Sequence, residues 1–350
     1  MGVRSGKSPA MRFLFLGAGA IGTYVGGSLA AAGEDVTFIE RPDTAQAILE
    51  AGLTVVTKRG TKVVRNVTMH DSAADALAAG PYDIGVFALK SFDTLTALDE
   101  LIASGHEVPT ILSLQNGVDN EATIAARLGH GRVIAGTVAT AVSKPGMGAV
   151  VEEKHRGIGI ALGNPLSEPV VAALDRAGLS GKAFKHADSM KWSKLLTNLT
   201  GNASSAILDR SVSALFSDRR CYDLEVSVLR ECLAVMRASG FAVVNLPGTP
   251  VTALALATRL PRFIAQPALT RVIGSGRGDK MPSFHIDLRS GRGRTEVGFL
   301  NGAVVRGGER TGVPTPVNAL LTDTLEALSS GDLPVDTYRH DPDALLAQLP

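Results

Sequence analysis

Arg12-Phe13-Leu14-Phe15-Leu16 is a short apolar run that ends in Gly17-Ala18-Gly19-Ala20-Ile21-Gly22, and an Ala- and Gly-rich stretch with helical character follows. G-x-G-x-x-G placed after a strand and opening a helix is the context that dinucleotide binding requires. The first glycine permits the tight turn, the second lets backbone approach a pyrophosphate, and the third allows close helix–strand contact. The helix start then faces the phosphates with its N–H groups. An ordinary glycine-rich turn would satisfy the spacing alone; here the flanking strand and helix satisfy the context too.

Outward from this turn the alternation of strand and helix continues. Residues 35–40 read as the next strand, and 53–57 with 62–67 as two β-rich pieces able to form a hairpin. Residues 83–89 and 110–114 read as buried strands on either side of a helix near 94–104, and 132–138 closes the series. Apolar runs of this length separated by helices indicate a parallel sheet covered on both faces. Residues 148–153 and 157–162 read as a hairpin or edge pair. After about Lys185 the character changes to long helical periodicity with almost no strand signal. Gly/Pro interruptions fall at 246–250, 274–282 and 307–316, and Gly274-Ser275-Gly276-Arg277-Gly278 is a candidate mobile loop. The expected organisation is a flexible polar leader over 1–10, an α/β dinucleotide-binding domain over 11–187, and an all-helical domain over 188–345 carrying substrate and chemistry.

Composition narrows the function classes. Of 350 residues, 35 are Lys or Arg and 34 Asp or Glu, a net of +1, which disfavours a binder of nucleic acid or of an anionic membrane surface. The chain is 45% hydrophobic and 20% charged, enough apolar mass for a buried core. No stretch reaches the ~18 apolar residues of a membrane span. Cys221 and Cys232 match no metal or redox spacing and read as buried thiols in a reducing cytosol.

Polar residues collect where strands end. Glu40 and Arg41 close the second strand: an acidic residue there suits the ribose 2′-OH of NAD, an Arg the 2′-phosphate of NADP. The reading leans to NADP(H), with Glu40 pointing into the sheet flank or paired to a neighbour and Arg41 left for the phosphate; a Glu40 that reached the ribose would repel that phosphate. Lys90 follows one later strand and Gln115-Asn116-Gly117 the next. Ligands of open parallel sheets lie outside the carboxyl ends of the strands, so Gly17, Arg41, Lys90 and Asn116 are expected to converge on one crevice.

The helical half opens with Lys191-Trp192-Ser193-Lys194-Leu195-Leu196-Thr197-Asn198-Leu199-Thr200-Gly201-Asn202. Residues four apart on a helix lie about 40° round from each other. Lys194, Asn198 and Asn202 therefore form one polar stripe, with Gly201 beside it leaving room for a ligand. Trp192, Leu195, Leu196 and Leu199 form the packed sector. Such a stripe has too few partners within its own helix, and a polar ligand would supply them; a solvated face is the plain alternative. A second segment carries Ser283 and, after Arg294-Thr295, Glu296. Ser283 and Glu296 are candidates for a ligand-facing hydroxyl and carboxylate; the plain alternatives are a helix cap for Ser283, which reads equally, and an ion pair with Arg292 or Arg294 for Glu296, while His285 reads as a satisfied structural imidazole. No metal-ligand pattern joins the histidines.

Taken in order, Gly17-x-Gly19-x-x-Gly22, Lys90, Gln115-Asn116-Gly117, Trp192-x-Lys194-Leu195-x-x-Asn198-x-x-x-Asn202, Ser283 and Arg294-Thr295-Glu296 resemble the ketopantoate reductases (2-dehydropantoate 2-reductases), from Met11 to about Leu328. The resemblance implies a Rossmann-like doubly wound domain followed by a helical one, with NADP(H) in the N-terminal crevice and a 2-oxo acid between the domains. It implies Lys194 as catalytic general acid with Glu296 as its acidic companion. Substrate contacts fall to Asn116, Lys194, Asn198, Asn202 and Ser283. Cofactor contacts fall to Gly17, Gly19, Ala20, Ile21, Gly22, Arg41, Lys90, Asn116 and Ala141. The sequence departs from the family pattern at Ala203, where the family often has Pro, at Glu40, and in the basic, glycine-rich loop 274–282.

The expected reaction is hydride transfer to the ketone carbon of ketopantoate, giving pantoate, with Lys194 protonating the oxygen. The expected setting is a cytoplasmic enzyme of pantothenate biosynthesis acting on a small molecule, with a homodimer left open and neither nucleic acid nor membrane as partner. Reduction of a different 2-oxo acid, or NADP(H) binding without turnover, are the alternatives.

Overall fold

The computed structural model describes residues 10–277, 281–291 and 293–349, for 272–277 the backbone alone. Nine of the ten residues of the expected leader, the loop residues 278–280 and Arg292 thus lie outside the described residues. The chain divides into two compact units: Met1–Gln115 with Asn120–Ala187, and Asn116–Asp119 with Asp188–Pro350.

The first unit begins β1 (Arg12–Leu16), α1 (Ala20–Ala31), β2 (Asp35–Ile39), α2 (Pro42–Ala51), β3 (Leu53–Thr57), β4 (Gly60–Val64), β5 (Thr68–His70) and α3 (Ala73–Ala78). It continues with β6 (Ile84–Phe87), α4 (Thr94–Ala103), β7 (Thr110–Ser113), α5 (Asn120–Leu128), β8 (Val133–Val138), β9 (Ala141–Gly146), β10 (Ala149–Lys154), β11 (Ile158–Ala161), α6 (Ser167–Arg176) and β12 (Gly181–Phe184). Eight strands form the main sheet in the order β12-β11-β8-β7-β6-β1-β2-β5, and β4-β3-β10-β9 form a second sheet. Strands β8-β7-β6-β1-β2-β5 are parallel throughout, and β11 joins β8 antiparallel.

The sequence explains this layering. The inner strands are built mainly of apolar residues because both faces are covered. On one face Phe13, Phe15 and Val86 share a core with Tyr24, Val25 and Leu29 of α1 and with Val170 and Leu174 of α6. On the other, Leu14, Leu16 and Phe87 pack with Leu77 of α3, Leu98 and Leu101 of α4, and Ile124 of α5. Helix α1 is buried from Gly22 to Ala30 because Leu53 and Val55 of the second sheet close over its far side in the same core.

The expected pairing of 148–153 with 157–162 does not occur. β10 pairs with β9 and β3 in the second sheet, whereas β11 pairs with β8 and β12 in the main one. The chain crosses between sheets at Gly157, whose φ is +126°, and the Thr140 hydroxyl accepts the N–H groups of Arg156 and Gly157 at that crossing. The series also runs on past β8, through β11 and β12.

The second unit is helical: α7 (Ala187–Leu199), α8 (Asn202–Leu208), α9 (Val212–Ser217), α10 (Arg219–Ala238), α11 (Val251–Ala257), α12 (Arg262–Arg277), α13 (Ser283–Arg289), α14 (Val297–Thr311), α15 (Pro316–Ser330) and α16 (Pro342–Leu346). Residues 274–277, expected as loop, are the last turn of α12. Trp192, Leu195, Leu196 and Leu199 are buried on α7 as their spacing implies. Both cysteines lie buried on α10, where burial pushes the Cys221 thiol up to about 11. Among the described residues no helix is long and apolar enough to cross a membrane.

The segment expected as one helix through Asn202 is broken. α7 stops at Leu199, Gly201 adopts φ +65°, and α8 restarts at Asn202. A Cβ on Gly201 would also come within 2.6 Å of Val212, so the glycine answers to backbone and packing rather than leaving space for a ligand. The buried Glu225 carboxylate holds the break, accepting the Gly201 N–H at 2.6 Å and the Ser204 hydroxyl. Gly201→Ala combines a left-handed φ with a clash, each of which costs about 1–3 kcal/mol. A lower urea-unfolding midpoint with an unchanged slope is the expected result.

Candidate active site

In the first unit the glycine turn leaves β1, whose neighbours β2 and β6 lie on opposite sides of it. This is where the strand order reverses, the position at which open α/β sheets leave a crevice. The three glycines answer three different demands. Gly17 has φ +90°, and a Cβ on Gly22 would run into the Gly17 carbonyl oxygen. Gly19 has neither constraint: its φ is −65°, and a Cβ there would meet only the Ala88 carbonyl, at 4.0 Å. The chain itself would accept a side chain at Gly19. A bare backbone there leaves the start of α1 open to approach from outside, as a pyrophosphate needs.

Glu40 follows β2 and turns back onto this loop. One carboxylate oxygen accepts the Ala18 N–H and the other the Arg41 N–H, each at 2.9 Å. The Arg41 side chain stays exposed, and the residue caps α2. Lys90 follows the end of β6 and is half-buried; Ala141 opens β9. Gly17, Arg41 and Lys90 therefore follow the carboxyl ends of the adjacent parallel strands β1, β2 and β6. Lys144 was not visible as a site residue in the sequence. Its ammonium donates to the Ala18 carbonyl at 3.1 Å, adding a cation to the glycine turn. Only the pairing of β9 with β10 brings it there, and its Ser-Lys-Pro-Gly setting reads locally as a turn.

Within the second unit two polar pairs form. The Asn198 amide donates to the Asn116 side-chain oxygen at 2.9 Å, so residues 82 apart in sequence meet. The Asn202 amide lies 3.5 Å from the Ser283 hydroxyl, and its oxygen accepts the Phe284 N–H at 3.1 Å. Asn202 thus caps α13, whereas the Ser283 side chain makes no capping hydrogen bond and is exposed. Lys194 lies one turn before Asn198 on the same face of α7 and is half-buried. Glu296 is buried at the N-cap of α14. His285 is satisfied by Asp209 at 2.7 Å. That hydrogen bond, the largest influence, acts with the Arg289 and Arg339 charges to hold the Asp209 carboxyl below its usual range. Ammonium, amide and hydroxyl groups on one apolar framework can bind a carboxylate and a carbonyl while delivering a proton.

Comparison with known proteins matches the same framework. The sequence profile of ketopantoate reductase PanE/ApbA matches residues 13–164, and that of its C-terminal domain matches residues 187–329. The 2-dehydropantoate 2-reductase of Pyrococcus horikoshii is 29% identical over 331 residues, covering 91% of this chain and 98% of the relative. A crystal structure of a PanE/ApbA family ketopantoate reductase from Ralstonia eutropha superposes with a TM-score of 0.78 at 30% identity, over 92% of this chain and 99% of that one. A 2-dehydropantoate 2-reductase from Geobacter metallireducens superposes with a TM-score of 0.75 at 26% identity, over 90% and 99%.

The different demands on Gly19 and Gly22 separate folding from binding. Gly19→Ala is expected to leave the melting temperature unchanged and to weaken binding of a nicotinamide dinucleotide about tenfold or more, as one displaced pyrophosphate contact would. Gly22→Ala is expected to lower the melting temperature itself. Calorimetric titration and thermal melts of the two variants check both outcomes.

Proposed function

The chain belongs to the ketopantoate reductase family and is an oxidoreductase, and from that premise we propose that it reduces 2-dehydropantoate to pantoate with NADPH. The observation that carries the proposal is the polar set of the second unit: Lys194 and Asn198 on one face of α7, with Asn198 bonded to Asn116 and Asn202 set against Ser283. In this reading residues 11–187 hold the dinucleotide and 188–345 hold substrate and the proton donor. The setting is cytoplasmic pantothenate biosynthesis, and the partner is a small 2-oxo acid.

A nicotinamide dinucleotide supplies the hydride that the ketone carbon takes up. Negative charge then grows on the carbonyl oxygen. The Lys194 ammonium meets that charge and passes its proton to the oxygen, a contribution typically worth ~10²–10⁴-fold in rate. Asn198 and Asn202 fix the orientation of the 2-oxo acid with their amides, and Ser283 adds a hydroxyl. Glu296 holds the ammonium in place or takes a substrate hydroxyl. On the dinucleotide side, the backbone of Gly17, Gly19, Ala20, Ile21 and Gly22 binds the pyrophosphate. Lys90, Asn116 and Ala141 border the cofactor.

The 2′-phosphate falls to Arg41. The Glu40 carboxylate is occupied by two backbone N–H groups, which supports leaving the exposed guanidinium for the phosphate. The same carboxylate is an anion beside the phosphate position and opposes it in part.

Lys194→Ala is expected to lower kcat about 10²–10⁴-fold, with NADPH affinity unchanged; an unchanged kcat on ketopantoate discards the assignment. Turnover of a panel of 2-oxo acids decides the substrate, since preference for another member would move the reading to a sister activity. Arg41→Ala is expected to raise KM for NADPH about tenfold while leaving KM for NADH unchanged. Glu40→Gln is expected to lower KM for NADPH. Initial rates with both cofactors check the pair.

A further inference from the structure

Away from the glycine turn, the first unit contains a chain of side chains that the reduction does not use. Ser180 precedes β12, His155 follows β10, Glu152 lies on β10, and Tyr24 lies on α1. The Ser180 hydroxyl is 2.9 Å from His155 Nε2. His155 Nδ1 is 2.8 Å from Glu152 Oε2, and the Tyr24 hydroxyl donates to that same oxygen at 2.5 Å. From this geometry we propose that Ser180, His155 and Glu152 form a second active centre, a serine nucleophile with its general base and orienting carboxylate, that hydrolyses small acyl esters.

The proton positions follow from the partners. An ionised carboxylate only accepts, so Nδ1 carries the imidazole proton toward Glu152. Nε2 then presents its lone pair to the Ser180 hydroxyl, which donates to it. This is the arrangement by which a weak hydroxyl nucleophile is activated: base within hydrogen-bond reach, and base oriented by a third group. The carboxylate is the buried member, its side chain 7% exposed, while the imidazole is 31% exposed and Ser180 opens to solvent. The reacting end is thus wet and the orienting end dry.

The backbone at Ser180 also departs from what a surface serine needs. Its φ is +51°, a left-handed conformation costly for a side-chain-bearing residue. Both flanks clamp it there. The Ser180 carbonyl accepts the Ile158 N–H at 3.2 Å, the Gly181 N–H is held by Asp175 at 2.8 Å, and the Leu179 N–H by the Leu174 carbonyl at 2.9 Å. A sharp turn of this kind thrusts the hydroxyl outward. One donor for a developing oxyanion is at hand: the Ser180 N–H has no acceptor among the described residues.

The step balances with water as the co-reactant. Ser180 Oγ bonds to the acyl carbon, its proton passes to His155 Nε2, and the carbon–alkoxy bond breaks as the leaving alcohol takes that proton. Water then attacks the acyl carbon and gives its proton to His155. The carbon–Oγ bond breaks, the carboxylic acid leaves, and Ser180 regains its proton.

The test uses the full chain with p-nitrophenyl acetate, following nitrophenolate release and mapping the acetyl group by peptide mass spectrometry. The wild-type protein is expected to carry acetyl on Ser180. Ser180→Gly, which suits the left-handed backbone and keeps the fold, is expected to lower turnover about 100-fold, as is His155→Gln. NADPH-linked reduction by Ser180→Gly is expected at the wild-type rate. Ester turnover by Ser180→Gly equal to that of the wild type, or acetyl found only on other residues, overturns the proposal. The result stands apart from the reductase assignment, because the two activities are read separately.

Discussion

The first unit depends on how closely α1 can approach β1. The Gly17 carbonyl occupies the space where a side chain at Gly22 would begin, so strand and helix meet backbone to backbone at the turn. That contact aims the start of α1 along the carboxyl edge of the main sheet and places Gly19 with open space before it. It also brings Ala18 within reach of two charged side chains from other elements, Glu40 at its N–H and Lys144 at its carbonyl. The two successive peptide units that flank Ala18 are therefore held by opposite charges. Hydrogen bonds to ionised partners are roughly twice as strong as neutral ones, and they fix the glycine loop from two sides.

A comparable device organises the second unit. Glu225, buried on α10, reaches the chain where α7 and α8 part and accepts the Gly201 N–H. The break re-aims Asn202, whose oxygen caps α13 and whose amide meets Ser283. Had the helix continued, Asn202 would have stayed in line with Asn198 and left the start of α13 uncapped. In each unit a carboxylate from elsewhere in the sequence takes up a backbone N–H that the local fold leaves without a partner.

How much of this was legible follows from which interactions are local. Strands β1, β6 and β7 announced themselves because burial on both faces leaves only apolar residues. β9 did not, since Pro145 and Gly146 read as a turn, and the three-residue β5 and the edge strand β12, with an exposed Lys182, lack that signature. The misreading of β10 and β11 has a physical cause: two strands close in sequence suggest a hairpin, and only the side chain of Thr140 and the left-handed Gly157 show that the chain changes sheets. The polar residues of α7 were legible as a stripe, but Asn202 at four-residue spacing reads the same in a continuous helix as in a broken one. The Asn116–Asn198 pair and the approach of Lys144 to the glycine turn depend on folding over long separations, which no spacing rule detects.

Under the proposed function, Glu40 and Arg41 are neighbouring residues of opposite charge that would serve one ligand. Along an extended strand, successive side chains point to opposite faces. At the end of β2 the first turns back to the glycine loop and the second caps α2 with its side chain exposed. The carboxylate is held by backbone N–H groups, which satisfy its lone pairs without cancelling its charge. In the proposed complex it would still act on the ribose, accepting from a 2′-hydroxyl and repelling a 2′-phosphate. A guanidinium free of the backbone can move to meet the phosphate and offset that repulsion, and its planar fork suits phosphate oxygens. Under the proposed function, rigid acid and adjustable base together would narrow the difference between the two dinucleotides, and the preference would rest on the reach of Arg41 rather than on the loop.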